Sequence, residues 1–240
     1  MNNKEISVRL VLRVSSAGLV SRRKAAEAIK AGKVRVNDVI VTNPALPVTS
    51  DDAVFFDGVP VPAMSRKYYI ALHKPRGYMS SNQDKHAEKL AVELIDLPEN
   101  VRLFSAGRLD VDSSGLLIFS NDGDFVNILT HPSFGVTKSY TVTVDRELSE
   151  KYLKIFLHGI MSDGELLKAL EVEPVGKKQS SFVLGEGKKR HIRRMIRAAG
   201  ANVIELTRVR HGDIFLGGLP SGKWRDLTAE EIKSVMDINS

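Results

Sequence analysis

Between residues 44 and 62 the chain carries Pro44, Pro47, Pro60 and Pro62, with Asp51-Asp52 and Gly58 among them. Proline fixes φ and has no N–H to give to a ladder or a helix, so prolines this dense admit only short strand-like pieces such as 53–56. The stretch is expected to be a linker, with a boundary near 63–67. That divides the chain into a short module over residues 1–63, linker included, and a longer domain over residues 64–240. A chain of 240 residues has room for both cores.

Charge separates the two parts as well. Residues 1–35 hold Lys4, Arg9, Arg13, Arg22, Arg23, Lys24, Lys30, Lys33 and Arg35 against Glu5 and Glu27, a net +7. The whole chain carries +6, so the remainder sums to −1. An excess confined to one module points to a polyanion partner. Leu10, Leu12, Val14 and Ala17 make a short apolar segment ended by Gly18. Ser21 is placed to cap a helix that runs through Ile29 and stops at Gly32. Val34, Val36, Val39 and Val41 flank Asn37-Asp38, two strands about a tight turn. Arg22, Arg23 and Lys24 then fall in the first helical turn, where the macrodipole disfavours each cation by roughly 0.3–1 kcal/mol. Phosphate binding reverses that sign, because helix end and cations then act on one anion. Arg9, Arg22, Arg23, Lys24, Lys30 and Lys33 are the candidate polyanion-binding residues.

In the longer domain, apolar runs predict strands at 68–73, 116–119, 140–144, 170–175 and 180–184. Helical patterns fall at 124–129, 150–158 and 192–199, and Thr228-Ala229-Glu230-Glu231 is a capping box. Strands outnumber helices without strict alternation. The expected class is therefore α+β, a small helix-plus-strand module followed by a larger domain whose mixed or antiparallel sheet is flanked by helices.

The run Ser105-Ala106-Gly107-Arg108-Leu109-Asp110-Val111-Asp112-Ser113-Ser114-Gly115 sets one carboxylate, Asp110, among small residues just before an apolar strand. Gly107 and Gly115 permit tight backbone and close ligand approach. Arg108 and Asp110 would project to one side of an extended segment. Such a carboxylate suits covalent or acid–base chemistry. A calcium loop fails here, since an apolar run follows and Asn121 stands where a bidentate Glu is needed. A metal held by Asp110, Asp112, Asp122 and Asp124 stays open as an alternative, without a neighbouring His or Glu cluster. Zero cysteines exclude a disulfide framework and a thiol nucleophile. No nucleotide-binding glycine fingerprint appears, and a reaction without cofactor or metal fits best.

A second basic cluster, Lys177, Lys178, Lys188, Lys189, Arg190, Arg193 and Arg194, faces only Glu186 between residues 177 and 194, a net +6. Lys188 and Lys189 are read as free for phosphates. Ile192, Met195, Ile196 and Ala199 form a buried helical stripe that Arg193 borders. A half-buried guanidinium needs a carboxylate partner, and Asp110 is the candidate; Arg194 and Arg197 fit a solvated face.

Three separated segments together resemble the signatures of bacterial ribosomal RNA pseudouridine synthases that carry an alpha-L module. They are 107–110 with 113–115, then Lys138-Ser139-Tyr140, then Arg190-His191-Ile192-Arg193-Arg194-Met195. Residues 9–37 are similar to the alpha-L RNA-binding module of ribosomal proteins, although Val11 and Leu12 replace a usual polar residue and lysine. Residues 219–228 resemble the family's C-terminal end. The resemblance implies that Asp110 is the essential carboxylate, that Tyr140 packs on the target base and assists proton removal, and that Arg193 ion-pairs with the aspartate. It implies that Leu206 lines the uracil pocket, and His191 stands where the family generally has glutamine. With Arg108, Lys188, Lys189 and Arg190, these are the candidate substrate-binding residues.

The expected function is isomerisation of a specific uridine in ribosomal RNA, free or in a pre-ribosomal particle, by a cytoplasmic monomer without membrane or metal partner. Two alternatives remain: a non-catalytic RNA-binding or assembly factor, and a metal-dependent nuclease using Asp110 and Asp112.

Overall fold

The computed structural model describes residues 7–17, 19–62, 66–80, 89–97 and 101–239. Gly18, expected to end the first apolar segment, and residues 63–65 at the expected boundary lie outside them. The chain divides into two compact units, one running to Lys67 and joined by Leu97–Arg102, the other comprising Tyr68–Asp96 and Leu103–Ser240.

The first unit comprises β1 (Val8–Arg9), α1 (Leu10–Ser16), α2 (Arg22–Lys30), β2 (Val34–Val36), β3 (Val39–Val41), β4 (Pro47–Val48), β5 (Val54–Phe56) and β6 (Val59–Val61). Ser21 caps α2 by accepting the Lys24 N–H, and Gly32 follows the helix at φ +74°. Asn37 and Asp38 both take positive φ, the geometry a two-residue hairpin requires. The Asn37 side chain then reaches across, donating to Asp52 at 2.6 Å and accepting the Ala53 N–H at 2.9 Å.

The proline-rich stretch is not a linker. β5 pairs with β2 and β6 pairs with β5, completing a four-stranded antiparallel sheet in the order β3-β2-β5-β6. Asp57-Gly58, at φ +47° and +80°, makes a second hairpin turn, and Pro60 sits on the edge strand, where a missing N–H is harmless. Leu10, Val14, Ala25, Ile29, Val34, Val48 and Val54 form this unit's core.

The second unit contains β7 (Tyr69–Lys74), β8 (Phe104–Ala106), β9 (Ser114–Ser120), α3 (Gly123–Thr130), β10 (Lys138–Val144), α4 (Glu150–His158), β11 (Ile160–Ser162), β12 (Glu165–Leu167), β13 (Glu171–Gly176) and β14 (Gln179–Leu184). It continues with α5 (His191–Ala198), β15 (Val203–His211), β16 (Ile214–Phe215), β17 (Trp224–Asp226) and α6 (Ala229–Met236). Its nine-stranded sheet runs β13-β14-β10-β15-β9-β7-β17, with β8 on β9 and β16 on β15. The β9–β15 pair is parallel and the others antiparallel, so the sheet is mixed.

β9 carries the continuous apolar run because both of its faces are covered. Leu116 and Ile118 join Ala71, Ala106, Phe125, Ile128 and Val235 in a core beneath α3 and α6, while Leu117 and Phe119 are equally buried on the other face. Asp122 caps α3, and both halves of the Thr228/Glu231 capping box form at α6. β9 and β15 meet closely at Gly115, whose φ is +108°; a Cβ there would lie 2.3 Å from the Arg208 carbonyl oxygen. Only glycine meets both conditions.

Candidate active site

Asp110 sits in the turn between β8 and β9, released from β8 at Gly107 (φ +81°) and closed by the Ser113 N–H donating to the Asp110 carbonyl at 3.0 Å. This turn is held on several sides. Gly77 N–H donates to the Val111 carbonyl at 2.7 Å. Ser80 Oγ both donates to the Leu109 carbonyl, at 2.9 Å, and accepts the Leu109 N–H, at 3.0 Å. Lys74 Nζ, wholly buried at the end of β7, donates to the Ser113 carbonyl at 2.8 Å. Burial pushes the Lys74 ammonium down to about 8, against the pull of Asp110 and Asp112.

α5 supplies the remaining side. Arg190, at its N-cap in the left-handed region (φ +52°), reaches Asp112 at 2.9 Å and Asp110 at 3.9 Å. Arg193, one turn further, donates to the Asp112 carbonyl at 2.8 Å and to Ser113 Oγ at 3.3 Å, and its Nε lies 3.4 Å from the Asp112 carboxylate. The ion pair expected between Arg193 and Asp110 is therefore made differently: Arg190 is the direct partner of Asp110, and Arg193 secures the turn through Asp112. The left-handed Arg190 brings a second guanidinium over the turn, which the helical stripe alone does not foretell. Burial works against the Asp112 anion, but the Arg190 hydrogen bond and the charge of Arg193 hold it below the usual carboxylate range.

Tyr140 lies on β10, opposite Phe182 and Arg208, with a register shift on the β15 side between Ser139 and Tyr140. Such bulges re-aim a side chain. Asp110, Tyr140, Arg108, Leu206, His191 and Arg190 line one cavity of about 120 Å³, with Lys188 and Lys189 also on its wall. Tyr140 and Leu206 are among its buried apolar members, with Leu109, Leu184 and Ile192. His191 is buried, neither ring nitrogen has a hydrogen-bond partner among the described residues, and burial lowers its pKa, which favours the neutral ring.

Lys188 is not free for phosphate: it pairs with Glu186 at 3.1 Å and donates to the Leu166 carbonyl. Lys189 is exposed and makes no ion pair among the described residues. Arg194 is not on a solvated face either; it is held by Asp163 at 3.0 Å and Glu165 at 2.6 Å, with its side chain 12% exposed. Arg197 is exposed.

Two buried cations of the second unit, among its described residues, are not marked as such by the sequence pattern. Lys74 reads only as a strand end before Pro75. Arg208 is 1% exposed, and its charge is met by backbone: Nε donates to the Leu116 carbonyl at 2.7 Å and Nη1 to the Arg108 carbonyl at 3.5 Å. A usable signal is its place two residues beyond Leu206, on the same side of a strand.

In the first unit, Arg9, Arg22, Arg23, Lys24, Lys30 and Lys33 are all exposed. Arg13 belongs to the structure instead, donating to the Pro62 and Thr49 carbonyls at 2.7 and 2.9 Å. Among the described residues there is no group of three or more His, Cys, Asp and Glu that could hold a metal ion, and no helix long and apolar enough to cross a membrane.

A family model described as RNA pseudouridylate synthase matches residues 68–198, the unit that carries this cavity. The chain belongs to that family. An S4 domain model matches residues 8–54 of this pseudouridylate synthase. The ribosomal large subunit pseudouridine synthase B of Bacillus subtilis (strain 168) is 38% identical over 227 residues, covering 92% of each chain. The ribosomal small subunit pseudouridine synthase A of Yersinia pestis is 34% identical over 219 residues, covering 90% of this chain and 93% of its own. A crystal structure of a pseudouridylate synthase superposes with a TM-score of 0.68 at 30% identity, covering 95% of this chain and all of that one.

Proposed function

We propose that this pseudouridylate synthase converts a specific uridine of ribosomal RNA to pseudouridine, with Asp110 as the essential carboxylate. The observation that carries the reading is that Asp110, Tyr140 and Leu206 line one small cavity fringed by exposed Lys189 and Arg190. The relatives named for ribosomal large- and small-subunit synthases support ribosomal RNA as the substrate class.

The chemistry fits these groups. The N1–C1′ bond of uridine breaks, the uracil turns, a C5–C1′ bond forms, the C5 proton leaves and N1 ends protonated. Atoms balance without redox change or an added group, so no cofactor or metal is needed. Asp110 acts at the ribose, by attack on the anomeric carbon or by removal of the adjacent proton. Tyr140 packs on the base and assists loss of the C5 proton; Leu206 and the strand walls retain the detached uracil. Arg190 supplies the charge beside Asp110, while Arg193 fixes the turn that carries it. Arg108, His191 and Lys189 complete the substrate contacts.

A paired uridine cannot enter so small a hollow, so the target is unpaired or flipped, at a cost of a few kcal/mol. Phosphate contacts from Arg9, Arg22, Arg23, Lys24, Lys30 and Lys33 offset that cost and make binding salt-dependent. A monomer is the proposed acting form. A ribosomal RNA substrate and the lack of a described spanning helix support the cytoplasm as its place of work. Mapping pseudouridines in ribosomal RNA from cells with and without the gene tests the proposal. One site missing without the gene, and restored by it, is expected; an unchanged map contradicts it.

A further inference from the structure

The uridine pocket adjoins a larger hollow. A second cavity, of about 600 Å³, shares Lys189 and Arg190 with the first, so the two are neighbours across one pair of side chains. Asp112, which also lines it, is two residues from Asp110, no more than about 7 Å along the chain. The second cavity therefore begins within one short step of the site of chemistry.

Its lining is unusual for a bare polyanion site. Five basic side chains are accompanied by three carboxylates, Asp112, Asp163 and Glu165. Ala201 and Val203 add an apolar patch. The carboxylates fix the guanidinium planes: Arg190 and Arg193 against Asp112, Arg194 against Asp163 and Glu165, Arg197 against Asp163 at 3.4 Å. Asn202 donates its amide to Asp145 at 2.8 Å, and its side-chain oxygen accepts no hydrogen bond among the described residues. Oriented guanidinium planes and an apolar patch suit the flat face of a heterocycle, the Asn202 side-chain oxygen suits its edge, and the net +2 suits one phosphodiester. When a uridine is drawn out of a strand, its neighbour loses a stacking partner and is open to such capture.

We propose that this second cavity seats the nucleotide adjoining the target uridine, a subsite that recognises the neighbour by stacking and by its base edge. The inference rests on the uridine pocket proposed above. It makes sequence preference next to the target a property of α5, of the loop carrying Asn202 and of the turn joining β11 to β12, with Arg190 and Arg193 shared with the site of isomerisation.

The test uses full-length protein and a short transcript spanning the mapped uridine, plus two versions in which the 5′ or the 3′ neighbour is abasic. Dissociation constants are compared for the wild type and for a variant carrying Arg197→Ala and Asn202→Ala, both surface positions. The wild type is expected to bind one abasic RNA about tenfold more weakly than the intact RNA, the size of a single base-stacking interaction. The variant is expected to bind the intact RNA weakly by a similar factor and to ignore the abasic change. Equal wild-type affinity for all three RNAs overturns the inference, as does a variant that keeps the full abasic penalty. A wild type that isomerises the intact transcript yet ignores its neighbours refutes this subsite alone. A wild type that isomerises no uridine refutes the pocket reading, and the subsite with it.

Discussion

Ser80 grips both backbone groups of Leu109: its Oγ donates to the carbonyl at 2.9 Å and accepts the N–H at 3.0 Å. The next residue is Asp110, so one buried hydroxyl sets where the carboxylate-bearing turn departs. Ser80→Ala leaves two buried backbone groups unpaired, at a cost of about 1–3 kcal/mol each at most. Single-turnover isomerisation should fall about tenfold or more, in line with the sensitivity of chemistry to small misplacement. RNA affinity should stay within about twofold, since Ser80 touches no cation of the RNA-binding set. A variant that loses affinity and keeps its rate contradicts this role.

Arg190 and Arg193 should separate in their effects. Arg193 holds the Asp112 carbonyl and Ser113 from a half-buried position, so Arg193→Ala should lower kcat by two orders of magnitude or so and reduce stability by about 3 kcal/mol. Arg193→Lys should rescue little, because one ammonium cannot replace a planar fork. Arg190 is more exposed and spans both cavities, so Arg190→Ala should raise the RNA dissociation constant as well as lower kcat. Rapid-quench rates with filter-binding affinities decide between the two patterns.

Gly115→Ala should fail to fold to the native sheet or lose about 3 kcal/mol or more. Its φ of +108° strains any side chain, and the new Cβ would meet Arg208 backbone rather than a side chain able to move. Urea unfolding measures the loss, and a variant within 1 kcal/mol or so of wild type would refute the close approach.

Buried Lys74 and half-buried Lys138 are both pushed down to about 8 by burial, below the ordinary lysine value near 10.4. Between those pH values the unfolded chain binds more protons than the folded one, so these two groups make stability rise with pH from about 8 to 10.4. Lys74→Met should lose part of that rise. Urea midpoints at pH 7.5, 9 and 10 give the slope, and an identical slope in the variant rules out a contribution from Lys74.

Arg22, Arg23 and Lys24 begin α2 without an acidic residue in its first turn. Replacing each by Ala should stabilise the module slightly, by about 0.3–1 kcal/mol, while weakening RNA binding and lowering the salt slope by about one for each phosphate no longer neutralised. Stability and affinity thus move in opposite directions, which a purely structural basic face would not give.

Much of this architecture is readable from residues. The helix 150–158 is found with its expected bounds, Ser21 and Thr228 cap where their side chains predict, and Asn37-Asp38 turns its hairpin. β15 is hard to read because Glu205, Arg208 and Arg210 interrupt the apolar pattern, and nothing local says that the Arg208 charge is met by carbonyls of β9 and the catalytic turn. β6 is hidden because Pro60 reads as a breaker unless its strand is known to be an edge. At the site, the residues themselves mark Asp110 and the basic cluster near α5, and the family resemblance adds Tyr140, but neither says which guanidinium meets which carboxylate. That depends on the left-handed turn at Arg190, a conformation a sequence does not announce.

The most direct test is Asp110→Asn assayed on the mapped transcript for pseudouridine and for RNA affinity together. Affinity close to wild type, with no detectable pseudouridine after prolonged incubation, is the expected result. Substantial turnover by the asparagine variant would contradict the role of Asp110 as the essential carboxylate.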